Sequence, residues 1–151
     1  VLGSGSGIRT NQAGLELIGN AEGCRLVPYT CPAGRITAGI GHTGNVEMRE
    51  YTYQQVADMW ISDIKSAEKC VNENLNGAAA NANQFSAMTS LVFNVGCRAI
   101  SRSTMAKYAN AGNWPAVCDQ FPRWRYAGGV ELPGLATRRN AERALCLRPT
   151  K

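Results

Sequence analysis

Acidic groups and metal ligands are scarce in this chain. Its 151 residues include three aspartates, Asp58, Asp63 and Asp119, and one histidine, His42. No two cysteines stand as Cys-x-x-Cys, and one histidine cannot complete a zinc cluster, so no metal or cofactor is expected. No apolar run approaches the roughly 18–20 residues of a membrane span. Sixteen lysines and arginines against eleven acids give a formal charge of +5, which suits a polyanionic partner. The bases are scattered, apart from Arg138, Arg139 and Arg143 near the end, and no zinc-finger spacing or RNA-binding signature appears. Nucleic acid is therefore not the expected partner.

What the chain does have is six cysteines, a high and even number, which argues for disulfides made in an oxidising compartment. Its length and 44% hydrophobic content suit one globular domain with its own core. The opening "VLGSGSG" reads as the tail of a removed segment, a flexible linker or a cloning scar, and the expected organisation is a linker over residues 1–9 after a missing N-terminal segment. The domain then runs over 10–151.

Most of that domain has helical periodicity. From about Thr10 to Ala21, Leu15 and Ile18 share a face and Gly23 supplies a stop. Residues 24–46 break the pattern with turns at Pro28, Pro32, Gly34, Gly39, Gly41 and Gly44, and "RITAGIG" alternates like a short ribbon. Thr52 with Gln55 resembles a capping box. It would open a helix with Val56, Met59, Trp60, Asp63, Ala67 and Cys70 on one face. Beyond the polar "NGAAANAN", an apolar helix carries Phe85, Met88, Leu91, Val92 and Val95 and ends near Gly96. Shorter helices are expected at about 103–111 and 114–121, the second with Pro115 at its start. A last helix is expected from about 135 to 146. The fold class is α+β and mostly helical: a small β-containing lobe (about 10–60) joined by a long helix to an all-helical lobe (about 61–151).

Glu22 falls at the end of the first helix, where the helix dipole and partial burial both push a carboxyl pKa upward. A glutamate kept protonated near neutrality suits a general acid. An exposed glutamate before a glycine cap is the plainer alternative. Taken singly, Thr37 is a β-former, His42 a structural hydrogen-bonding residue, and Cys24 with Cys31 a loop staple.

The combination is more specific. Glu22, a residue nine further on, Thr37 six beyond that, and then "GIGHT" resemble the active-site region of the phage lysozymes, the muramidases of glycoside hydrolase family 24. "AMTSLVFNVG" and "GLATRRNAERAL" are similar to the family's central-helix and C-terminal segments, so the resemblance spans about residues 10–148. It implies a lysozyme-like fold and hydrolysis of the β-1,4 bond between N-acetylmuramic acid and N-acetylglucosamine in peptidoglycan. The chain departs from the pattern at the aspartate position, which holds Cys31. That cysteine, with Cys24 close to the glutamate, resembles the signal-anchor-release endolysins, whose catalytic-position cysteine is caged in a disulfide until the N-terminal membrane anchor is released.

The resemblance implies Glu22 as general acid, with Cys31 as thiolate and the Thr37 hydroxyl acting on water or on the anomeric charge. Cys24–Cys31 would be the regulatory disulfide. Arg138 or Arg139 would supply positive potential or pair with Glu22, against the alternative of a solvated basic face. Asn94 matches a family position that faces the cleft. Family register implies a His42–Asp63 ion pair and a Cys118–Cys146 disulfide, which leaves Cys70 for Cys97. The expected setting is the bacterial periplasm, with a likewise implied tether to the inner membrane and a monomeric enzyme. Two rivals stay open: a lytic transglycosylase, which needs only the glutamate, and a murein-binding protein without catalysis.

Overall fold

The computed structural model describes residues 8–21, 53–127 and 129–150. Glu22, Cys24, Cys31, Thr37, His42 and the ribbon over 24–46 lie outside the described residues, as does the Thr52 cap.

The first helix, α1 (Gln12–Ala21), starts two residues later than its periodicity suggests. Asn11 sets the start, because its Oδ1 accepts the backbone N–H of Gly14 at 3.0 Å. Leu15 and Ile18 are buried against Trp60 and Ile64 of α2 (Tyr53–Asn74). The buried stripe of α2 runs Trp60, Ile64, Ala67, Glu68, Cys70 and Val71, the three- and four-residue spacing of one helix face. It is rotated from the face read in the sequence, which omitted Ile64, Glu68 and Val71 and included Asp63, here only half-buried.

A short 3-10 turn (Gly77–Ala79) leads to α3 (Ala82–Val95), the central helix. Asn81 and Gln84 form a reciprocal capping box at its start, and Gly96, at φ +93°, ends it where a side chain would be strained. Nine of the fourteen residues of α3 are buried, polar ones included, and the buried hydroxyls are occupied. Thr89 Oγ1 donates to the Phe85 carbonyl at 2.9 Å, and Ser86 Oγ accepts the Asn11 N–H at 2.9 Å.

Three short helices follow: α4 (Cys97–Ser101), which the sequence did not suggest, α5 (Thr104–Asn110) and α6 (Trp114–Gln120). Pro115 sits in the first turn of α6, and the Asn113 side chain makes no cap bond. A 3-10 segment (Phe121–Trp124) leads into the two-residue strands β1 (Tyr126–Ala127) and β2 (Val130–Glu131), paired antiparallel with Tyr126 opposite Glu131. Strands this short show no periodicity in the sequence. The last helix, α7 (Pro133–Leu147), opens with Pro133 behind Leu132.

Helices α1, α2 and α7 all pack on α3, and α1 also touches α7. The lobe boundary read near residue 60 falls inside α2, and α1 packs against helices of the second lobe. The linker read over 1–9 also ends earlier. Arg9 lies over the Phe85 ring at 4.0 Å and donates to the carbonyls of Gly77 and Ala80 at 2.7 and 2.6 Å. Thr10 then donates its N–H and hydroxyl to buried Glu68, at 2.7 and 2.5 Å. These bonds strap residues 9–11 across α2 and α3. Among the described residues no helix is long and apolar enough to cross a membrane.

Two disulfides staple this body. Cys70 of α2 is bonded to Cys97 at the start of α4, and Cys118 of α6 to Cys146 of α7. Each closes a loop of nearly thirty residues, worth about 3–4 kcal/mol by loop entropy.

Candidate active site

Glu22 follows directly on the last residue of α1, so the packing of α1 bears on it most directly. Gly14 makes that packing close. A Cβ added there would meet Ser86 Cβ of α3 and Thr10 Cγ2 at 2.8 Å each. No substituent fits between the helices at that point without moving them.

One turn further along the same face of α3, at Ser90, lies a buried ionic network. Glu142 of α7 is fully buried, and its Oε2 accepts from Ser90 Oγ at 2.5 Å, Arg138 Nε at 3.3 Å and an Arg139 guanidinium nitrogen at 3.2 Å. Arg139 Nε lies 2.7 Å from Glu142 Oε1, an ion-pair contact whose angle is too poor for a hydrogen bond. Arg138 also donates to the Ser90 carbonyl at 3.2 Å. Arg139 reaches the Trp124 carbonyl at 3.4 Å, tying the 3-10 segment to α7. Burial pushes the Glu142 carboxyl above the usual carboxylate range, opposed by Arg139, Ser90 and Arg138. Burial likewise lowers the Arg139 guanidinium, against the pull of Glu142.

Arg138 and Arg139 are 7% and 0% exposed, so they do not form a solvated basic face. Arg139 has no surface with which to touch a saccharide; its visible partners are Glu142 and a backbone carbonyl. Arg143 is the solvated arginine of the cluster, paired with Asp119 at 2.8 Å. Asn94 is exposed near the end of α3, where it is free to meet a ligand. Asp63 is half-buried on α2. Its expected partner His42, like Glu22, Cys31 and Thr37, lies outside the described residues. Among the described residues no group of acids, cysteines and histidines could hold a metal ion. Sequence reasoning missed Ser90 and Glu142, and their hydrogen bond spans 52 residues. The one available signal was a glutamate within the apolar spacing of the last helix.

A sequence model of the phage lysozyme family matches residues 19–142, which takes in Glu22, Cys31, Thr37, Asn94 and the buried network. The chain is 46% identical over 160 aligned residues to the SAR-endolysin of Escherichia phage P1, covering 97% of this chain and 85% of that protein. It superposes on the crystal structure of the active form of the P1 phage endolysin with a TM-score of 0.82 at 45% identity, covering 95% of this chain and 88% of that one. For the secreted inactive form the TM-score is 0.64 at 46% identity, with coverage of 91% and 95%.

Proposed function

The chain belongs to the phage lysozyme family, and from that premise we propose a muramidase that cleaves the β-1,4 bond of peptidoglycan under disulfide control. An endolysin of this family is a glycoside hydrolase; the bond cut and the control are what is proposed. Glu22 protonates the leaving glycosidic oxygen. Cys31, once a thiolate, acts with Thr37 on the attacking water or on the positive charge at the anomeric carbon. Arg138 contributes positive potential, Arg139 holds Glu142 in place, and Asn94 contacts the glycan.

The observation that carries the control is cysteine bookkeeping. A cysteine stands at the family's aspartate position, and four of the six cysteines are bonded to each other in the helical body. Cys24 and Cys31 are the two left over. While they are joined, no thiolate is available at Cys31. An incoming thiolate that attacks Cys24 forms a new disulfide with it and expels Cys31 as the free thiolate, so the bond count is conserved. A cysteine in an anchor upstream of this chain would fill that role after the anchor leaves the membrane, as the name SAR-endolysin of the P1 relative suggests. The enzyme would therefore act in the periplasm as a monomer, tethered to the inner membrane until release.

Clearing of a sacculus suspension, with and without mild reductant, tests the reading. The oxidised chain is expected to be inactive and to gain activity on reduction. Cys24→Ser is expected to be active without reductant, Cys31→Ser impaired throughout, and Glu22→Gln inactive yet folded. Full activity of the oxidised parent would refute the control. Anhydro-muramyl ends in the products, in place of reducing ends, would refute hydrolysis in favour of transglycosylation.

A further inference from the structure

The outward face of α2 carries a feature that neither the core nor the network uses. Ile61, Ser62, Lys65, Ser66 and Lys69 line an open groove of about 440 Å³ along that helix. Lys65 and Lys69 are exposed and four residues apart, so their stems leave the helix about 6 Å apart along its axis. Each has a serine three residues before it, within reach on the same face. The groove therefore presents two ammonium groups and two hydroxyls.

Like charges four residues apart on a helix repel each other. Neither lysine is in an ion pair among the described residues, whereas Arg125, Arg138, Arg139 and Arg143 each meet a carboxylate. Glu73, one turn beyond Lys69, is exposed and forms no pair with it among the described residues. Among the described residues this repulsion thus meets no counter-charge.

We propose that the groove is an accessory site for the carboxylates of an acidic peptide, and that its occupant is the stem peptide of peptidoglycan. This rests on the reading of peptidoglycan as substrate and adds a second point of contact with it. Stem peptides carry free carboxylates on their acidic and diamino-acid residues, close enough together to meet two ammonium groups one helical turn apart. The serine hydroxyls add donors, and Ile61 offers apolar contact to the aliphatic part of such a peptide. An anionic lipid surface is a poorer fit, because it takes a cluster of about 4–8 basic residues to bind one. Holding a peptide here while the glycan is cut elsewhere raises the local concentration of the strand at the active site.

The test is cosedimentation with purified sacculi, using Glu22→Gln protein so that nothing is digested. Lys65→Gln/Lys69→Gln in that background is expected to bind about five- to tenfold more weakly at low salt, two exposed charge pairs having been lost. Its melting temperature is expected to be unchanged or slightly higher, since the repulsion is gone. Sacculi stripped of stem peptides by an amidase are expected to bind the parent as weakly as intact sacculi bind the double variant. Equal binding of parent and double variant to intact sacculi would overturn the proposal. So would a double variant that loses binding to phosphatidylglycerol vesicles while keeping it to sacculi. Failure of the unsubstituted chain to clear sacculi in any redox state would sink the catalytic reading alone, because this assay needs no turnover.

Discussion

Gly14→Ala sets two known effects against each other at one site. Alanine is the better helix former by about 1 kcal/mol, so in open space the change stabilises. At Gly14 the new Cβ would lie 2.8 Å from both Ser86 Cβ and Thr10 Cγ2. Neither obstacle is the far end of a flexible chain. Ser86 Cβ is fixed to the backbone of α3, and Thr10 is held by two bonds to Glu68. Ordinary contact needs roughly 0.8 Å more, which α1 gains only by moving off α3. Overpacking costs about 1–3 kcal/mol, and two held atoms at 2.8 Å put this site in the upper part of that range, about 2–3 kcal/mol, which outweighs the propensity gain. The expected net loss is about 1–2 kcal/mol, or about 3–8 °C in melting temperature for a domain of this size. Thermal and urea unfolding of the oxidised protein by circular dichroism would read it. Gly134→Ala is the control: a Cβ there meets nothing within 4 Å, so a gain of a few tenths of a kcal/mol is expected. Thr10→Ser removes the clashing methyl and keeps the hydroxyl, so the pair Thr10→Ser/Gly14→Ala should recover part of the loss. Because Glu22 directly follows α1, Gly14→Ala should also lower kcat more than it raises KM. A Gly14→Ala protein as stable as its parent would refute the argument, since it would mean that α1 has room to shift without cost.

Three further outcomes follow from the structure. Cys118→Ser with Cys146→Ser should cost about 3–4 kcal/mol in urea unfolding, from the loop of 28 residues that the bond closes; a loss under about 1 kcal/mol would place the stabilisation elsewhere. Arg139→Met removes the strongest attraction opposing burial of the Glu142 carboxyl, so that group should titrate higher still. A carboxyl whose folded pKa exceeds its unfolded value contributes stability below the unfolded pKa and loses it as pH rises through the folded one. The urea midpoint of Arg139→Met should therefore fall more steeply than the parent's as pH rises above the ordinary carboxylate range, and parallel curves would count against it. If His42 pairs with Asp63, an NMR titration should place its pKa above the usual ~6.5; a value at or below that would exclude the pair.

Local order was legible in the sequence wherever it rests on near neighbours. The apolar spacing of α1, α2, α3 and α7, the stop at Gly96 and the proline at the head of α6 act over a few residues, and periodicity reveals them. The capping box of Asn81 and Gln84 was equally local, but it lay in a polar stretch that read as linker. Family membership was also legible, because Glu22, Thr37 and the "GIGHT" ribbon carry it through residue type and interval, with Cys31 marking the departure. Only the tertiary structure decided which polar residues are buried and what meets them there. Glu68 looks like one more surface acid of a helix until Thr10 arrives from 58 residues away. Arg139 and Glu142 look like part of a charged stripe until α3 brings up Ser90. Burial turns such a charge from a solvated group into one that must find its partners inside. Those partners come from other elements of the fold, at separations where no sequence period connects them.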